Sequence, residues 1–432
     1  MNGQLSKGFQ IKTELGASIM VDEFLAEGGQ GEVYVVEYRG EKKALKWYKK
    51  SSLGTKPLAF YDNIKQNILR GAPSQEFLWP IDLTEWKDGT FGYVMDLRPE
   101  GFYELTEFLL CHVRFHSYKA VIDVALKIVS AFRALHNAGY AYQDLNDGNF
   151  FINPNDGKVL ICDNDNVAPE GVETGIMGKP RYMAPEIVTK LGKPNSLSDR
   201  FSMSIILFLL FFNTHPLEGK RYLVPALTAM LQEKLYGSEP LFIMDPNDKS
   251  NGPHPVIHKN IIQAWPCLPN YMQEIFMKAF SEKAFQKPAS RPKEIDWLYV
   301  LARFRSEIVR CSCGNEIFTQ NGESCNCDAC GKQLNVAFKI CLNGYSVPAV
   351  KGTRIYRCQL GVCDEVQALA PVANVIENNE SKKLGLKNRS DNKWDALTPS
   401  GVTKKVASNC VVPLIDGIQI IIEDENIIIK SN

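Results

Sequence analysis

Apolar and polar residues alternate in short runs along the first part of the chain. β-Branched, aromatic and other apolar side chains recur at every second position, or run together, in Ser18 to Leu25, Val33 to Tyr38, Lys42 to Trp47 and Phe91 to Leu97. Such runs, broken by glycine and charged residues, are typical of strands that place one face on a core. The pattern therefore predicts a small β-rich lobe.

The spacing of apolar residues changes to a helical period farther along the chain. Between Tyr118 and Asn137 they recur three or four positions apart, and helical signals continue to about Ser306. The most apolar run, Met203 to Phe212, is much shorter than the roughly 20 residues that span a bilayer. We therefore predict a helical lobe that contains one deeply buried helix.

A third region begins after Arg310. The stretch Cys311 to Gly331 is rich in cysteine and glycine, and short β-like runs separated by turn residues follow it. These runs are Gly352 to Leu360, Leu384 to Asn388, Gly417 to Ile422 and Asn426 to Lys430. Their spacing favours a β-sandwich over a helical domain.

The composition is that of a globular protein, with 45% hydrophobic and 23% charged residues among 432. At roughly 150 residues per domain, this length suggests about three domains. The 49 Lys and Arg residues equal the 49 Asp and Glu residues, so no net charge attracts the chain to nucleic acid or an anionic membrane. The polar N-terminus lacks the pattern of a secretory signal. We expect a cytoplasmic protein with no nucleic-acid or membrane partner.

Glycine residues lie between the first two long predicted strands. Within Leu25 to Tyr34, Gly28 and Gly31 stand on a turn, where backbone N–H groups approach phosphates closely because no side chains intervene. Lys46 follows on the next predicted strand, where its ammonium group would bind the α- and β-phosphates of ATP. A plain hairpin turn and a surface lysine are the alternative interpretation of these residues alone.

The sequence Tyr142 to Asn149 carries the most specific signal. Asp144 precedes Asn149 by five positions, the spacing at which a carboxylate accepts the proton of a substrate hydroxyl and an amide oxygen binds Mg²⁺. Asp163 ends a short β-like run fourteen positions farther on, where a second Mg²⁺ ligand belongs. We predict Asp144 as the catalytic base and Asn149 and Asp163 as ligands of Mg²⁺.

With these residues the chain resembles the protein-kinase superfamily over about residues 10 to 306. Gly178 to Glu186 is similar to the end of a kinase activation segment, and Arg291 stands where an arginine pairs with that glutamate. The resemblance implies an α+β, two-lobed kinase fold, with an N-lobe over residues 10–97 and a C-lobe over residues 98–306. The residues that it implies for ATP binding are Ala26, Gly28, Gly29, Gly31, Val33, Ala44, Lys46, Met95, Asp96 and Leu97.

A narrower resemblance rests on four short sequences. Phe77 to Pro80, Gly92 to Met95, Cys162 to Val167 and His215 to Gly219 resemble bacterial kinases of the tellurium-resistance-associated triad. Members of that group are associated with a von Willebrand A-domain protein and a metal-dependent protein phosphatase. The resemblance therefore implies these two partners in addition to protein substrates.

Three positions of the catalytic segments depart from the kinase pattern. Gln143 replaces an arginine, Asn146 replaces the lysine of the catalytic loop, and Asp163 is followed by Asn-Asp instead of Phe-Gly. The arginine pairs with a phosphate on the activation loop in regulated kinases. Because glutamine carries no charge, we expect activity not to require phosphorylation of Thr174, the hydroxyl residue between Asp163 and Gly178.

The helix predicted over Leu58 to Arg70 contains no glutamate to pair with Lys46. Asp62, Asn63 and Asn67 are candidates for that role, and the sequence does not decide among them. A pseudokinase scaffold, which binds nucleotide and partner proteins without efficient transfer, is therefore the alternative to an active kinase. The prediction is an ATP-dependent protein serine/threonine kinase that transfers the γ-phosphoryl group of Mg-ATP to a protein hydroxyl.

Two cysteine pairs follow the predicted kinase. Cys311 with Cys313 and Cys327 with Cys330 each precede a glycine, and 13 residues separate the pairs. Four thiolates suit tetrahedral Zn²⁺, so we predict a zinc ribbon over residues 307–336 with a structural ion. The first pair is one residue shorter than the usual spacing, which leaves Cys325 as a substitute ligand and a plain reduced loop as open alternatives.

The last region, residues 337–432, resembles a divergent forkhead-associated β-sandwich. The resemblance rests on Gly352 to Arg357, Leu386 to Ser390, Trp394 and Pro413 to Gly417. Domains of this group bind phosphothreonine through arginine and serine side chains on loops. The region lacks Gly-Arg followed by Ser-x-x-His, so we expect a structural or partner-docking module.

Overall fold

The computed structural model describes residues 4–172, 178–361, 368–423 and 425–432, which form two compact units. The first unit comprises Met1–Arg114, Ala131–Leu268 and Phe276–Arg291. The second comprises Phe115–Ser130, Pro269–Ile275 and Pro292–Asn432. No helix in the described part of the chain combines the length and apolar character needed to cross a membrane.

The first unit begins with a six-stranded antiparallel sheet in the order β1-β2-β3-β4-β6-β5 and one helix, α1. Their bounds are β1 (Gln10–Lys12), β2 (Ser18–Glu27), β3 (Gly31–Tyr38), β4 (Glu41–Tyr48), α1 (Pro57–Arg70), β5 (Asp82–Leu83) and β6 (Gly92–Met95). One face of the sheet buries a cluster around Ile19, Val36 and Leu45. The β-rich lobe predicted from the alternating pattern is confirmed.

The turn between β2 and β3 requires glycine at its end. A Cβ atom on Gly31 would lie 2.3 Å from the carbonyl oxygen of Trp47, which is closer than any side chain tolerates. The absence of a side chain lets β3 and β4 pair from Gly31–Tyr48 onward, with Val33 opposite Lys46. Lys46 is thereby placed beneath the glycine-rich turn.

Helices dominate the rest of the first unit. The elements after the sheet are β7 (Tyr103–Glu104), α2 (Leu105–Leu109), α3 (Tyr118–Asn137), β8 (Tyr140–Ala141), β9 (Phe150–Ile152), β10 (Val159–Ile161), β11 (Ala168–Pro169), α4 (Pro185–Val188), α5 (Ser196–Phe212), α6 (Ala229–Glu233), α7 (Lys259–Ala264), α8 (Asn270–Ala279) and α9 (Glu282–Gln286). Helices α3 and α8 contribute residues to both units.

Helix α5 contains the apolar run that the sequence predicts to be buried. The side chain of Asn195 accepts hydrogen bonds from the backbone N–H groups of Leu197 and Ser198, which caps the first turn. Phe208 lies at the centre of an aromatic cluster, with ring centroids 5.3 Å from Phe276 and 5.5 Å from Phe242. The prediction of a buried helix is confirmed.

A buried ion pair joins α4 to the end of the first unit. The guanidinium group of Arg291 donates to both carboxylate oxygens of Glu186 at 2.8 and 2.7 Å, and to the carbonyl oxygen of Leu197 at 2.8 Å. Only 1% of the Arg291 side chain is exposed. This bidentate geometry confirms the pairing that the sequence implies.

The second unit contains helix α10 and the C-terminal strands. Their bounds are α10 (Glu294–Glu307), β12 (Ile308–Arg310), β13 (Glu316–Phe318), β14 (Cys325–Asn326), β15 (Gln333–Leu334), β16 (Phe338–Leu342), β17 (Tyr345–Pro348), β18 (Arg354–Tyr356), β19 (Pro371–Glu377), β20 (Leu384–Asn388), β21 (Trp394–Leu397), β22 (Thr403–Val406), β23 (Val411–Pro413), β24 (Gln419–Ile422) and β25 (Glu425–Ser431). The six-stranded sheet β17-β16-β25-β24-β21-β22 and the four-stranded sheet β18-β19-β20-β23 line one hydrophobic cluster. The predicted β-rich C-terminal region is confirmed.

Helix α10 packs on the β-rich region within this unit. The hydroxyl of Ser306 donates to the carbonyl oxygen of Arg354 at 2.7 Å, and the ring of Tyr299 lies 6.0 Å from that of Tyr345. Arg305 forms an ion pair with Asp123, with Nη2 2.9 Å from Oδ2. The strands are therefore anchored on helical residues. The limits predicted for the four domains stay predictions.

The Arg291–Glu186 pair generates a stability prediction. Replacing Arg291 with Leu leaves the Glu186 carboxylate without its cation and should lower the free energy of unfolding by roughly 3 kcal/mol. Urea denaturation followed by tryptophan fluorescence measures the loss. Lys158→Met, which removes an exposed pair with Asp156, should cost less than about 1 kcal/mol. Equal losses in the two variants would contradict a special role for the buried pair.

Candidate active site

A cleft of about 710 Å³ in the first unit contains every residue predicted for ATP binding and catalysis. These residues are Ala26, Gly28, Gly29, Gly31, Val33, Ala44, Lys46, Met95, Asp96, Leu97, Asp144, Asn149 and Asp163. A larger surface cavity of about 830 Å³ near Arg221 and Phe285 is lined by none of them. Because chemistry and not size defines a site, the smaller cleft is the candidate active site.

One end of the cleft is apolar. Ala44 and Met95 are paired across the neighbouring strands β4 and β6, and Val33 on β3 and Leu97 after β6 complete the walls. The Asp96 carboxylate accepts a hydrogen bond from Lys43 at 2.9 Å, and 62% of the Asp96 side chain is exposed. Apolar walls of this kind fit a flat heteroaromatic base such as adenine.

The segment that contains Asp144 is anchored from behind by a buried aspartate. Asp199, at the start of α5, accepts hydrogen bonds from the backbone N–H groups of Tyr142 at 2.6 Å and Gln143 at 3.2 Å. The amide nitrogen of Asn149 donates to the carbonyl oxygen of Asp144 at 2.7 Å, which closes the loop. This network directs Asp144 and Asn149 into one cleft although five positions separate them.

The carboxylate of Asp144 lies in a partly buried, negatively charged environment. Burial and the neighbouring charge of Asp163 together raise the pKa of Asp144 to about 6, although the ammonium group of Lys179 acts in the opposite direction. Such a pKa lies close to neutral pH, the range in which a general base works best. The structure thus gives Asp144 properties that suit proton transfer.

Asp163 follows β10 and opens towards the cleft. Its backbone is left-handed, with φ 55°, and 41% of its side chain is exposed. The next residue, Asn164, donates to the carbonyl oxygens of Leu78 at 2.8 Å and Ile161 at 2.9 Å, which fixes the turn. An exposed carboxylate on a rigid turn, beside the amide of Asn149, is a donor set that fits Mg²⁺.

Lys46 has partners that the sequence did not predict. Its ammonium group donates to Asp165 Oδ2 at 2.8 Å, to Gln30 Oε1 at 3.1 Å and to Asp163 Oδ1 at 3.2 Å. Burial lowers the pKa of Lys46, but the charges of Asp163 and Asp165 outweigh burial and hold it above its usual value. The ammonium group is therefore charged.

None of the three candidates on α1 pairs with Lys46. Asn63 and Asn67 donate instead to the carbonyl oxygen of Val167, at 2.8 and 2.7 Å, while Asp62 faces solvent. A buried amide N–H group without a hydrogen-bond acceptor is costly, and the carbonyl oxygen of Val167 accepts from both amides. The expectation that the partner of Lys46 lies on α1 is wrong.

Sequence reasoning missed one charged residue of the site, Lys179, and it missed the pairing of Asp165 with Lys46. The ammonium group of Lys179 donates to the Asn146 side-chain oxygen at 3.2 Å and lines the cleft beside Asp144. For Lys179 the available signal was the replacement of the catalytic-loop lysine by Asn146, because a kinase that lacks this lysine needs a cation from another segment of the chain. For Asp165 the signal was a second carboxylate two positions after Asp163.

The activation segment is described in part. Thr174 lies outside the described residues, and the expectation about its phosphorylation stays a prediction. Gln143 donates through its side-chain nitrogen to the carbonyl oxygen of Val172 at 2.6 Å. Arg181, a cation of the same segment, forms two hydrogen bonds with Glu218, at 2.5 and 3.1 Å.

A second site lies in the other unit. The sulfur atoms of Cys311, Cys313, Cys327 and Cys330 lie within 4.8 Å of one another. The distances Cys311–Cys330 and Cys313–Cys327 are 3.7 and 3.6 Å, close to the roughly 3.8 Å between thiolates on tetrahedral Zn²⁺. Among the described residues, Cys325 is not part of this cluster.

The backbone around these cysteines favours thiolates. Burial raises the pKa of Cys327, but hydrogen bonds from the backbone N–H groups of Cys330 and Ala329 bring it down to about 6. Each pair is closed by a turn, in which Gly314 N–H donates to the carbonyl oxygen of Cys311 and Gly331 N–H to that of Cys327. The four side chains therefore fit a Zn²⁺ ion.

Comparison with known proteins identifies relatives of this chain. Mouse protein kinase C delta type is 28% identical over 202 residues, which cover 45% of this chain and 29% of that protein. Sgk1-B of Xenopus laevis is 22% identical and covers 45% of each chain. Maternal embryonic leucine zipper kinase of Xenopus tropicalis is 24% identical over 57% of this chain and 39% of that protein. The chain thus spans less than half the length of these relatives.

One solved structure and one family model are also similar to this chain. The kinase domain of Mycobacterium tuberculosis PknI has a TM-score of 0.46 and 17% identity, covering 69% of this chain and 99% of that one. The model described as "Protein kinase domain" matches residues 20–251, more than half of the sequence. The chain therefore belongs to the family of protein kinase domains.

Proposed function

We propose that the chain is a protein serine/threonine kinase, transferring the γ-phosphoryl group of Mg-ATP to a protein hydroxyl. The observation that carries the proposal is the convergence of Lys46, Asp144, Asn149 and Asp163 in one cleft with an apolar end. These side chains come from three separate segments, and each has the chemistry that phosphoryl transfer requires. The two-lobed kinase family supports the same conclusion.

Each part of the cleft has a separate role in the proposed reaction. The apolar end binds adenine, the glycine-rich turn and Lys46 bind the phosphates, and Asn149 and Asp163 hold Mg²⁺. When bound, Mg²⁺ neutralises charge on the phosphates. Asp144 accepts the proton of the substrate hydroxyl while the oxygen of that hydroxyl bonds to the γ-phosphorus. The bond from the γ-phosphorus to the β–γ bridging oxygen breaks, and ADP leaves.

Lys179 is proposed to contact the transferred phosphoryl group. The γ-phosphate would lie next to the hydroxyl that Asp144 deprotonates, and Lys179 lines this part of the cleft and donates a hydrogen bond to Asn146. Charge spreads over the equatorial oxygens in the transition state, so a cation placed there accelerates transfer. Lys179 would supply the charge that Asn146 cannot.

We also propose that Cys311, Cys313, Cys327 and Cys330 bind one structural Zn²⁺ ion. Four sulfur ligands leave no position for a substrate, so the ion would stabilise the fold and take no part in transfer. The support is the tetrahedral spacing of the sulfur atoms and the lowered pKa of Cys327.

The narrower family assignment is a proposal based on sequence. We propose membership of the tellurium-resistance-associated kinases, with a von Willebrand A-domain protein and a metal-dependent phosphatase as partners. Four short sequences support this assignment: Phe77 to Pro80, Gly92 to Met95, Cys162 to Val167 and His215 to Gly219. The two sheets around one core are compatible with a divergent forkhead-associated domain, which we propose serves as a partner-docking module.

The first prediction concerns the base and the phosphate-binding lysine. Asp144→Asn and Lys46→Met should each lower the rate of transfer from labelled Mg-ATP to casein at least about 100-fold, because proton acceptance or phosphate binding is lost. Asp156→Asn, an exposed control, should retain the wild-type rate. A folded wild type that binds Mg-ATP but transfers nothing would instead establish the pseudokinase scaffold.

The second prediction concerns Lys179. Lys179→Met should lower kcat about 100-fold with little change in the KM for ATP, because the cation acts on the transition state. Adding Asn146→Lys to that variant should restore part of kcat by returning a lysine to the catalytic loop. Lys190→Met, an exposed control, should behave as wild type. A wild-type kcat in Lys179→Met would show that this lysine does not contact the phosphoryl group.

The third prediction concerns the metal. Protein purified without added metal should contain one Zn²⁺ per chain by elemental analysis, and Cys327→Ser should lose it because one of four ligands is gone. The loss should make the C-terminal region sensitive to protease. Cys410→Ser, which removes an exposed thiol outside the cluster, should keep the ion. Metal-free protein with a protease-resistant C-terminal region would refute the site.

A further inference from the structure

We propose that Asp165 is the positioning residue for Lys46, so that the placement of the phosphate-binding lysine does not depend on helix α1. In protein kinases this lysine is paired with a glutamate of the corresponding helix, and movement of the helix controls the pair. The inference rests on the proposed function, because it assigns the residue that prepares Lys46 to bind the phosphates of ATP.

The pair between Lys46 and Asp165 is the most buried of the contacts that Lys46 makes with acids. Nζ lies 2.8 Å from Asp165 Oδ2, and the exposed fractions of the two side chains are 7% and 0%. Among the described residues, the other carboxylate oxygen of Asp165 has no hydrogen-bond partner. A buried carboxylate is costly unless a cation balances it. Lys46 therefore provides the charge that Asp165 requires.

The remaining partners of Lys46 face the cleft. Asp163 has 41% of its side chain exposed and is the proposed Mg²⁺ ligand, and Gln30 belongs to the glycine-rich turn. An ammonium group has three N–H donors. When phosphates and Mg²⁺ enter, they compete for the contacts with Gln30 and Asp163, whereas Asp165 lies outside the cleft lining. Asp165 is thus the partner that persists.

Asp165 is itself held by elements other than α1. The hydroxyl of Tyr48 donates to the same oxygen that Lys46 contacts. Tyr48 and Lys46 stand two positions apart on β4 and so project to the same side of the sheet. On the other side, Asn164 ties the turn to the carbonyl oxygens of Leu78 and Ile161. The carboxylate is therefore positioned by β4 and by the turn after β10.

In the described structure, helix α1 contacts this region through neutral hydrogen bonds and through the ring of Phe60, whose centroid lies 5.3 Å from that of Tyr48. Asn63 and Asn67 both donate to the carbonyl oxygen of Val167, two positions beyond Asp165. No described residue of α1 takes part in the pair between Lys46 and Asp165, so displacement of α1 would break these contacts without removing either charged partner. The charged partner of Lys46 is consequently supplied by the turn after β10 and not by α1.

Removal of Asp165 has a specific consequence for Mg²⁺. Lys46 would retain one carboxylate partner, Asp163, at 3.2 Å. The ammonium group would then compete with Mg²⁺ for Asp163, since both are cations that need the same oxygens. Asp165 therefore gives Lys46 a second carboxylate partner, so that Asp163 can be released to Mg²⁺ while Lys46 stays balanced.

A double-mutant cycle with Lys46 tests the proposal. Asp165→Asn keeps the shape of the side chain but removes its charge. It should lower kcat/KM for ATP about tenfold or more and raise the Mg²⁺ concentration for half-maximal rate. In the Lys46→Met background the same substitution should have no further effect on either quantity, because Asp165 acts through Lys46. Independent, multiplicative losses in the double variant would overturn the proposal.

Two further variants keep the test decisive. If Asp165→Asn does not fold, Tyr48→Phe weakens the hold on the carboxylate without removing charge. Its smaller loss, about threefold to tenfold, should likewise vanish in the Lys46→Met background. Asn63→Ala removes one bond between α1 and Val167 and should leave kcat/KM within about twofold of wild type. If Asn63→Ala lowers kcat/KM as much as Asp165→Asn does, the position of Lys46 depends on α1 and the proposal is wrong.

The same cycle on binding separates this proposal from the proposed function. Calorimetry with Mg-ADP at several Mg²⁺ concentrations needs no phosphoryl transfer. Asp165→Asn should weaken Mg-ADP binding about tenfold at low Mg²⁺, and high Mg²⁺ should recover part of the loss. A chain without transfer activity that shows this pattern would refute the kinase activity alone, and unchanged binding in Asp165→Asn would refute the role of Asp165.

Discussion

The burial of one positive charge is the constraint on which the cleft depends. Lys46 must reach the phosphates from a strand in the middle of the sheet, and its side chain is almost completely removed from water. A charge in such a place is tolerated only with an opposite charge at hydrogen-bond distance. The chain meets this requirement with Asp165, which brings the turn after β10 against β4. The two halves of the cleft are thus joined by an ion pair.

The same principle recurs around the catalytic loop. Asp199 is buried and accepts two backbone N–H bonds from Tyr142 and Gln143, so its charge orients the segment that bears Asp144. Arg291 is buried with Glu186 and fixes the end of the activation segment. These charges touch no substrate. They hold backbone in place, and the reactive side chains therefore need little reorganisation when ATP binds.

The C-terminal strands use a different means of stabilisation. Two sheets share one apolar core, and helix α10 contributes Tyr299 to it while Ser306 bonds to the β18 backbone. The short strands β12 to β15, which flank the four clustered cysteines, bury few apolar side chains. A region of that size seldom folds on hydrophobic contacts alone, which gives physical sense to a metal at the four sulfur atoms.

Residue spacing by itself determined most of the candidate site. The β-rich lobe and the buried helix α5 follow from periods that depend only on neighbouring positions, and Asp144, Asn149 and Asp163 follow from short distances along the chain. The cysteine cluster within Cys311 to Cys330 likewise follows from short distances along the chain. Only the tertiary structure decided the partner of Lys46 and the cation beside Asp144, because Asp165 lies 119 positions from Lys46 and Lys179 lies 33 from Asn146. Contacts between such distant positions depend on how turns and strands pack, and in that packing the amides on α1 bond to a carbonyl group while a second aspartate balances the lysine.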